Sequence, residues 1–295
     1  MRDFRGKVAV ITGGAGGIGR ALGTRFGRAG ARIVLADIEP EALAAAVSEL
    51  AADGIEVTGE RVDVAAADQV ETLAERCFAR YGRVHLLCNN AGVLPAERRA
   101  LWEVSLNTWD WALGVNVKGV LHGIRSFVPR LIAQAEPSHV VNVTSHAGGL
   151  LNLDSASTYC VTKCAVGSLT EILHYQLRAI SAPVRVTLWF PGPHTVPTGI
   201  YRPERVRPAH LPPEPHEPAS PFRSLDDMQQ WMLKTYNRTR PFVTPEEAVE
   251  GLVQGLAEDR YWVSPWTPQF ERALREHQER VLGRLDPLAP DPAIL

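Results

Sequence analysis

Two hydrophobic rhythms alternate through the first two-thirds of the chain. Lys7 to Thr12 is a short apolar run, as a strand covered on both faces requires, and a glycine loop and a helix ending near Gly30 follow it. Arg32 to Asp37 reads as a second strand and Pro40 to Asp53 as an alanine-rich helix opened by proline. Ile55 to Val62 reads as a third strand, Asp68 to Tyr81 as a helix capped by its aspartate, and Val84 to Asn89 as a fourth strand. Trp109 to Ala135 has helical spacing, His139 to Ser145 is strand-like, Ala156 to Ile180 is a long helix and Val184 to Phe190 another strand. Such alternation predicts an α/β fold with one doubly wound parallel sheet of about seven strands and helices on both faces. Right-handed crossovers then bring the carboxyl ends of the strands, and any ligand crevice, to one edge.

The rhythm breaks after Phe190. Prolines crowd residues 191 to 221, and we read about 194–242 as an enlarged lid, with a short amphipathic helix from Ser224 to Tyr236 inside it. Thr244-Pro245-Glu246-Glu247 is a helix start, Tyr261 to Ser264 the last strand, and about 267–285 a terminal helix. Residues 1–295 are expected to form a single domain. Its 45% hydrophobic and 22% charged residues are ordinary for a soluble globular chain, and a net charge of -2 gives no field to gather nucleic acid or anionic lipid. No nucleic-acid or membrane partner is therefore expected, and no apolar run reaches the ~18 residues of a membrane span. The four cysteines form no CxxC pair and sit in apolar stretches, so they are expected to be free buried thiols in a reducing compartment. The start, MRDFRGKVAVITGG, enters a strand directly and reads as neither signal nor transit peptide, which points to the cytoplasm. We assign no metal site.

Candidate chemistry begins at the first turn. Thr12-Gly13-Gly14-Ala15-Gly16-Gly17-Ile18-Gly19 links strand one to a helix. Glycines there let backbone approach a pyrophosphate, which the helix N-terminus attracts with free N–H groups and its dipole. This is the Rossmann-like context for a dinucleotide fingerprint. Asp37 ends strand two about 20 residues on, where a carboxylate can accept hydrogen bonds from a ribose diol and repel a 2′-phosphate. Ile38 after it offers no cation, so NAD is favoured over NADP.

At this point the sequence resembles the short-chain dehydrogenase/reductase family, over roughly residues 5 to 265. Thr12, Gly13, Gly17 and Gly19 carry its glycine motif, and Asp63-Val64 resembles its adenine-contacting pair. Asn89-Asn90-Ala91-Gly92 resembles its NNAG motif, Asn116 its helix asparagine and Ser145 its serine after strand five. Tyr159 and Lys163 carry its YxxxK motif, and Pro191-Gly192 its proline-glycine pair. The resemblance implies a catalytic tetrad of Asn116, Ser145, Tyr159 and Lys163. It gives Ser145 the hydrogen bond to the substrate oxygen, Lys163 the nicotinamide ribose and Asn116 a proton-relay water. Helices bearing Asn116 and Tyr159 commonly pair in this family, so a homodimer or homotetramer is expected, and Trp111, Val120, Phe127, Leu169, Ile172 and Leu173 are candidates for that face or for the core. The segment from Pro191 to Thr198 carries about two extra residues, leaving open whether Thr195 or Thr198 reaches the cofactor.

The chemistry needs these residue types. Removing hydride from a carbinol carbon requires a base for the hydroxyl proton. A tyrosine with a pKa near 10 is only ~0.1% phenolate at pH 7. Lys163 lies one helical turn beyond Tyr159 on the same face, and its charge, with a cationic nicotinamide, is expected to lower that pKa by ~1–3 units. His146, His194 and Trp231 are candidate substrate-pocket residues. A histidine beside Ser145 also invites a hydrolase reading, but no GxSxG elbow exists. The lid's Ile200, Tyr201, Phe222, Met228, Trp231, Met232 and Tyr236 suit a hydrophobic secondary alcohol or ketone. The layout also resembles the Cα-dehydrogenases of lignin β-aryl ether alcohols, and steroid or terpenoid alcohols are alternatives. An NADP-dependent ketone reductase and a non-catalytic NAD-binding sensor are the competing functions, and a sensor has no need of the whole tetrad.

Overall fold

The computed structural model describes residues 1–95, 100–192, 195–214, 225–236 and 242–290. The chain runs β1 (Val8–Thr12), α1 (Gly17–Arg28), β2 (Arg32–Asp37), α2 (Pro40–Ala52), β3 (Val57–Arg61), α3 (Ala67–Tyr81) and β4 (Leu86–Asn89). Then come α4 (Leu106–Ala112), a π-helical stretch (Leu113–Lys118), α5 (Gly119–Ala133), β5 (Ser138–Val143), a single turn α6 (His146–Gly149), α7 (Ser157–Ala179) and β6 (Val184–Trp189). Beyond the lid's first part lie α8 (Leu225–Tyr236), α9 (Pro245–Ala257), β7 (Trp262–Val263) and α10 (Pro268–Leu282). The seven strands of the described residues are parallel, as expected, and run in the order β3-β2-β1-β4-β5-β6-β7.

Period two sorts β1 between two cores. Ala9 and Ile11 face one side with Leu22 and Phe26 of α1, Leu43 of α2 and Leu252 of α9. Val8 and Val10 face the other with Leu73 of α3, Phe127 of α5 and Leu177 of α7. With helices on both faces, the strands can be apolar throughout, and every residue of β1, β4 and β5 is buried. The strand order reverses between β1 and β4, and the crevice at such a switch point is where ligands bind in open α/β sheets.

Several details differ from the expectations. Helix α3 begins at Ala67 with Ala66 in the cap position, so Asp68 lies in the first turn and acts on the helix dipole rather than as a cap. The single helix expected from Trp109 to Ala135 is three joined stretches with a π segment in the middle. Cys77, Cys88 and Cys160 are buried, but Cys164 is exposed, because α7 turns it away one position after the inward-facing Lys163. Of the candidates for a subunit face, Trp111, Val120, Phe127 and Leu173 belong to this chain's own core, whereas Ile172 is exposed. No helix among the described residues is long and apolar enough to cross a membrane.

Candidate active site

Strand ends build the cradle. Thr12, at the end of β1, accepts on Oγ1 the N–H groups of Asn90 (3.0 Å) and Ala91 (3.1 Å). Asn90 Nδ2 returns hydrogen bonds to the carbonyls of Thr12 (2.9 Å) and Gly13 (3.2 Å), so the loop after β4 is stitched to the glycine loop. A Cβ on Gly19 would lie 1.9 Å from the Gly13 carbonyl oxygen, so only glycine lets the first turn of α1 close on the loop. Asp37, at the end of β2, accepts from Ala15 N on Oδ2 (2.9 Å) and from Glu39 N on Oδ1 (3.1 Å). Asp63 accepts from Ala65 N at 2.9 Å, and Val64 packs against Gly119. Gly14, Ile38, Gly92, Pro191 and Gly192 lie in the loops at this edge of the sheet, and Ile18 in the first turn of α1.

The two threonines lie in different places. Thr198 sits over the glycine loop: a Cβ on Gly17, whose φ is +49°, would meet the Thr198 side chain at 2.7 Å. Thr195 instead is buried at the base of the lid in a backbone bridge with Phe242, and its Oγ1 has no hydrogen-bond partner among the described residues. From there the lid crosses to α4, where the Arg207 guanidinium lies over the Trp111 ring at 5.2 Å and donates to Thr108 Oγ1 at 3.0 Å.

The four tetrad residues converge. Ser145 follows β5, and Tyr159 and Lys163 project from the first turns of α7. Ser145 hydrogen-bonds the Tyr159 hydroxyl. Lys163 Nζ donates to the Val143 carbonyl at 3.0 Å and lies 5.5 Å from the Tyr159 ring centre. Asn116 lies in the π-helical stretch, a helix distortion frequent at functional sites. It accepts from Val93 N (2.8 Å), donates to Val93 O (2.9 Å) and donates to Thr162 Oγ1 (3.0 Å). Its side chain thereby ties the loop after Gly92 to α7, and a Cβ on Gly92 would lie 3.4 Å from Asn116 Oδ1 and 3.6 Å from Lys163 Nζ.

Burial dominates the electrostatics of this pair in the protein alone. Burial pushes the Tyr159 phenol above its ordinary value; the Ser145 hydrogen bond offsets this in part and Tyr201 adds to it. Burial also lowers Lys163 from 10.5 to about 8, so its ammonium is itself destabilised and does not outweigh the desolvation of Tyr159 in the protein alone.

The pocket candidates separate. His146 is buried, with Nε2 2.6 Å from Ser264 Oγ and its ring among Phe190 (5.3 Å), Phe270 (4.2 Å) and Trp266 (6.3 Å). It ties the Ser145 loop to Ser264 and to Phe270 of α10. Trp231 is half-buried on α8, and His194 lies outside the described residues, as does Phe222 of the lid. Sequence reasoning missed Ser264 and Phe270, more than a hundred residues from the loop they hold; the one available signal was the aromatic cluster of Trp262, Trp266 and Phe270 after the last strand. Among the described residues no His, Cys, Asp or Glu cluster could hold a metal ion.

Comparison with known proteins agrees with this geometry. A family model described as short chain dehydrogenase matches residues 7–205. The chain is 32% identical over 297 residues to a C alpha-dehydrogenase of Sphingobium sp., covering 99% of this chain and 90% of that protein. It is 40% identical over 184 residues to a 1-deoxy-11-beta-hydroxypentalenate dehydrogenase of Streptomyces avermitilis, covering 62% and 67%. A short chain dehydrogenase/reductase from Burkholderia phymatum, crystallised in complex with NAD, superposes with a TM-score of 0.86 at 39% identity over 99% of both chains.

Proposed function

This chain belongs to the short-chain dehydrogenase family, and from that premise we propose that it is an NAD-dependent dehydrogenase interconverting a hydrophobic secondary alcohol, aryl or cyclic, and its ketone. The observation that carries this reading is the meeting of Ser145, Tyr159 and Lys163 at the strand ends, beside the loop that Thr12 and Asn90 bind to the glycine cradle.

The cradle fits a dinucleotide. Glycine at position 19 keeps the α1 N-terminus closed on a loop whose N–H groups suit a pyrophosphate, and Asp37 suits a ribose diol. Gly13, Gly14, Ala15, Gly17, Ile18 and Gly19 would hold the pyrophosphate, with Thr198 over them. Asp37, Ile38, Asp63 and Val64 would hold the adenosine. Asn90, Ala91, Gly92, Lys163, Pro191 and Gly192 would border the nicotinamide end, with Thr195 behind. A bound oxidised nicotinamide would supply the hydride acceptor and a positive charge beside Tyr159.

Tyr159 takes the hydroxyl proton of the alcohol, and in the reverse direction gives it to the ketone oxygen; general acid–base catalysis of this kind contributes ~10²–10⁴-fold. Ser145, already bonded to the phenol, donates to the substrate oxygen and sets its distance from Tyr159. Lys163 lies on the same helical face, and its amine, once it has given a proton to solvent, takes up the one released from Tyr159. Asn116 keeps that helix and the Gly92 loop in register.

Leu151 and Phe270 pack with Leu150, Leu153 and Leu274 beside the Ser145 loop, which makes this side of the site apolar. The two named relatives, a C alpha-dehydrogenase and a 1-deoxy-11-beta-hydroxypentalenate dehydrogenase, support an alcohol substrate. Exposed Leu121 on α5 and Val161, Ile172 and Tyr175 on α7 favour pairing of these helices in a homodimer or homotetramer. The free thiols suit the cytoplasm. A panel of aryl, terpenoid, steroid and sugar alcohols, followed by NADH absorbance, tests the substrate class. Turnover of aryl or cyclic alcohols is expected, and turnover of sugar alcohols alone would overturn it.

A further inference from the structure

Contacts close a ring around the adenosine end of the cleft. The ring starts in the glycine loop, where Ala15 N donates to Asp37, and passes to Glu39, whose N–H is bound to the other Asp37 oxygen. The Glu39 carboxylate accepts from Arg205 Nε at 3.0 Å, across 166 positions of sequence. Arg205 Nη1 donates to the carbonyls of Gly199 and, at 2.8 Å, Arg202, and a Cβ on Gly199 would lie 2.9 Å from Nη2. Gly199 follows Thr198, whose side chain rests on Gly17, and so the ring returns to the glycine loop. A lid guanidinium is thus held against Glu39, two residues beyond β2, and against Gly199, next to the Thr198 that rests on Gly17, near the corner where an adenosine ribose would meet its pyrophosphate.

We propose that Glu39 is a second cofactor-discriminating carboxylate: by pairing with Arg205 it withholds from this corner the cation that a 2′-phosphate needs. The proposal rests on the NAD reading above and deepens it, because Asp37 alone would not prevent a neighbouring guanidinium from binding that phosphate. Arginine matches phosphate geometry with paired donors, so an unpaired Arg205 is a competent partner for it. The pair is weak enough to decide by small changes. The two side chains are 38% and 29% exposed, and an exposed pair contributes about a fivefold factor at most to an equilibrium constant. What Glu39 supplies is therefore chiefly its charge, which cancels that of Arg205.

Calorimetric titration of NAD and NADP, which differ only by the 2′-phosphate, into wild type, Glu39→Gln and Glu39→Gln/Arg205→Met tests this. Glutamine keeps the shape of the side chain at a part-exposed position, and thermal midpoints verify that each variant is folded. Glu39→Gln is expected to bind NADP roughly fivefold more tightly or better, with NAD affinity within about twofold and the gain shrinking at high salt. Arg205→Met in the same background is expected to abolish that gain. Unchanged NADP affinity in Glu39→Gln, or a gain that survives without Arg205, overturns the proposal while leaving the NAD reading intact. Tighter binding of NADP than of NAD by wild type overturns that reading itself, and the proposal with it.

Discussion

Gly148→Ala should separate the two halves of the catalytic pair. Gly148 has φ +88° and ψ -42°, a conformation that a side chain strains by about 1–3 kcal/mol. Its Cβ would also lie 2.2 Å from the carbonyl oxygen and 2.4 Å from the Cα of Cys160, the residue after Tyr159. Both are backbone atoms of α7, so no rotamer change relieves the overlap. Restoring ordinary contact requires the Ser145 loop and the start of α7 to part by about 1 Å. A misplacement of that size costs about 10²-fold in a positioned reaction. The cradle lies on other strand ends, so NAD affinity should remain within about threefold. The assay is kcat with saturating NAD and an accepted alcohol, beside NAD affinity by calorimetry. Gly251→Ala serves as control: this position in α9 has open space, and the change should stabilise by about 0.5–1 kcal/mol. Wild-type kcat in a folded Gly148→Ala protein would refute the claim that this contact sets the distance from Ser145 to Tyr159.

Other perturbations probe separate parts of the account. Lys163 is held at about 8 against 10.5 in the unfolded chain, so the unfolded state binds more protons between those values and stability rises with pH across that window. The difference in urea midpoint between wild type and Lys163→Met should therefore shift in favour of wild type from pH 8 to 10; a constant difference would contradict a buried, destabilised ammonium. His139, buried against Thr187 Oγ1 at 2.8 Å, is lowered to about 3, so stability is lost as pH falls below 6.5. At pH 5 the loss should be about 2 kcal/mol, and His139→Gln should flatten the acid limb of denaturation. Asp37→Ala removes the acceptor for Ala15 N and the ribose partner, and should weaken NAD by roughly 10–100-fold. NADP should gain relative to NAD; an unchanged ratio of the two affinities would show that Asp37 does not face the ribose.

What could be read from the sequence was whatever local geometry carries. Tyr159 and Lys163 share a face because four residues make about one helical turn. Glycines between a strand and a helix specify a phosphate turn, and Asp37 follows from where β2 stops. The period-two and period-3.6 patterns gave the sheet its strands and helices, with ends moved by one to three residues. Contacts between distant segments were not legible. The partners Glu39 and Arg205, or His146 and Ser264, meet only because β2, β5 and β7 end on one edge. The π stretch around Asn116 leaves no mark in composition, since its residues also suit an α-helix. The different places of Thr195 and Thr198 follow from the lid's path over Gly17. Trp111 and Phe127 could not be told from surface residues, because a core and a subunit interface use the same side chains.

The most direct test of the central claim is single-turnover formation of NADH from NAD and an aryl secondary alcohol, by wild type and by Tyr159→Phe, with NAD affinity measured on both. The account predicts NADH formation by wild type and a rate lower by about 10²–10⁴-fold in Tyr159→Phe at unchanged NAD affinity. Equal rates in the two proteins, or turnover supported by NADP and not by NAD, would contradict it.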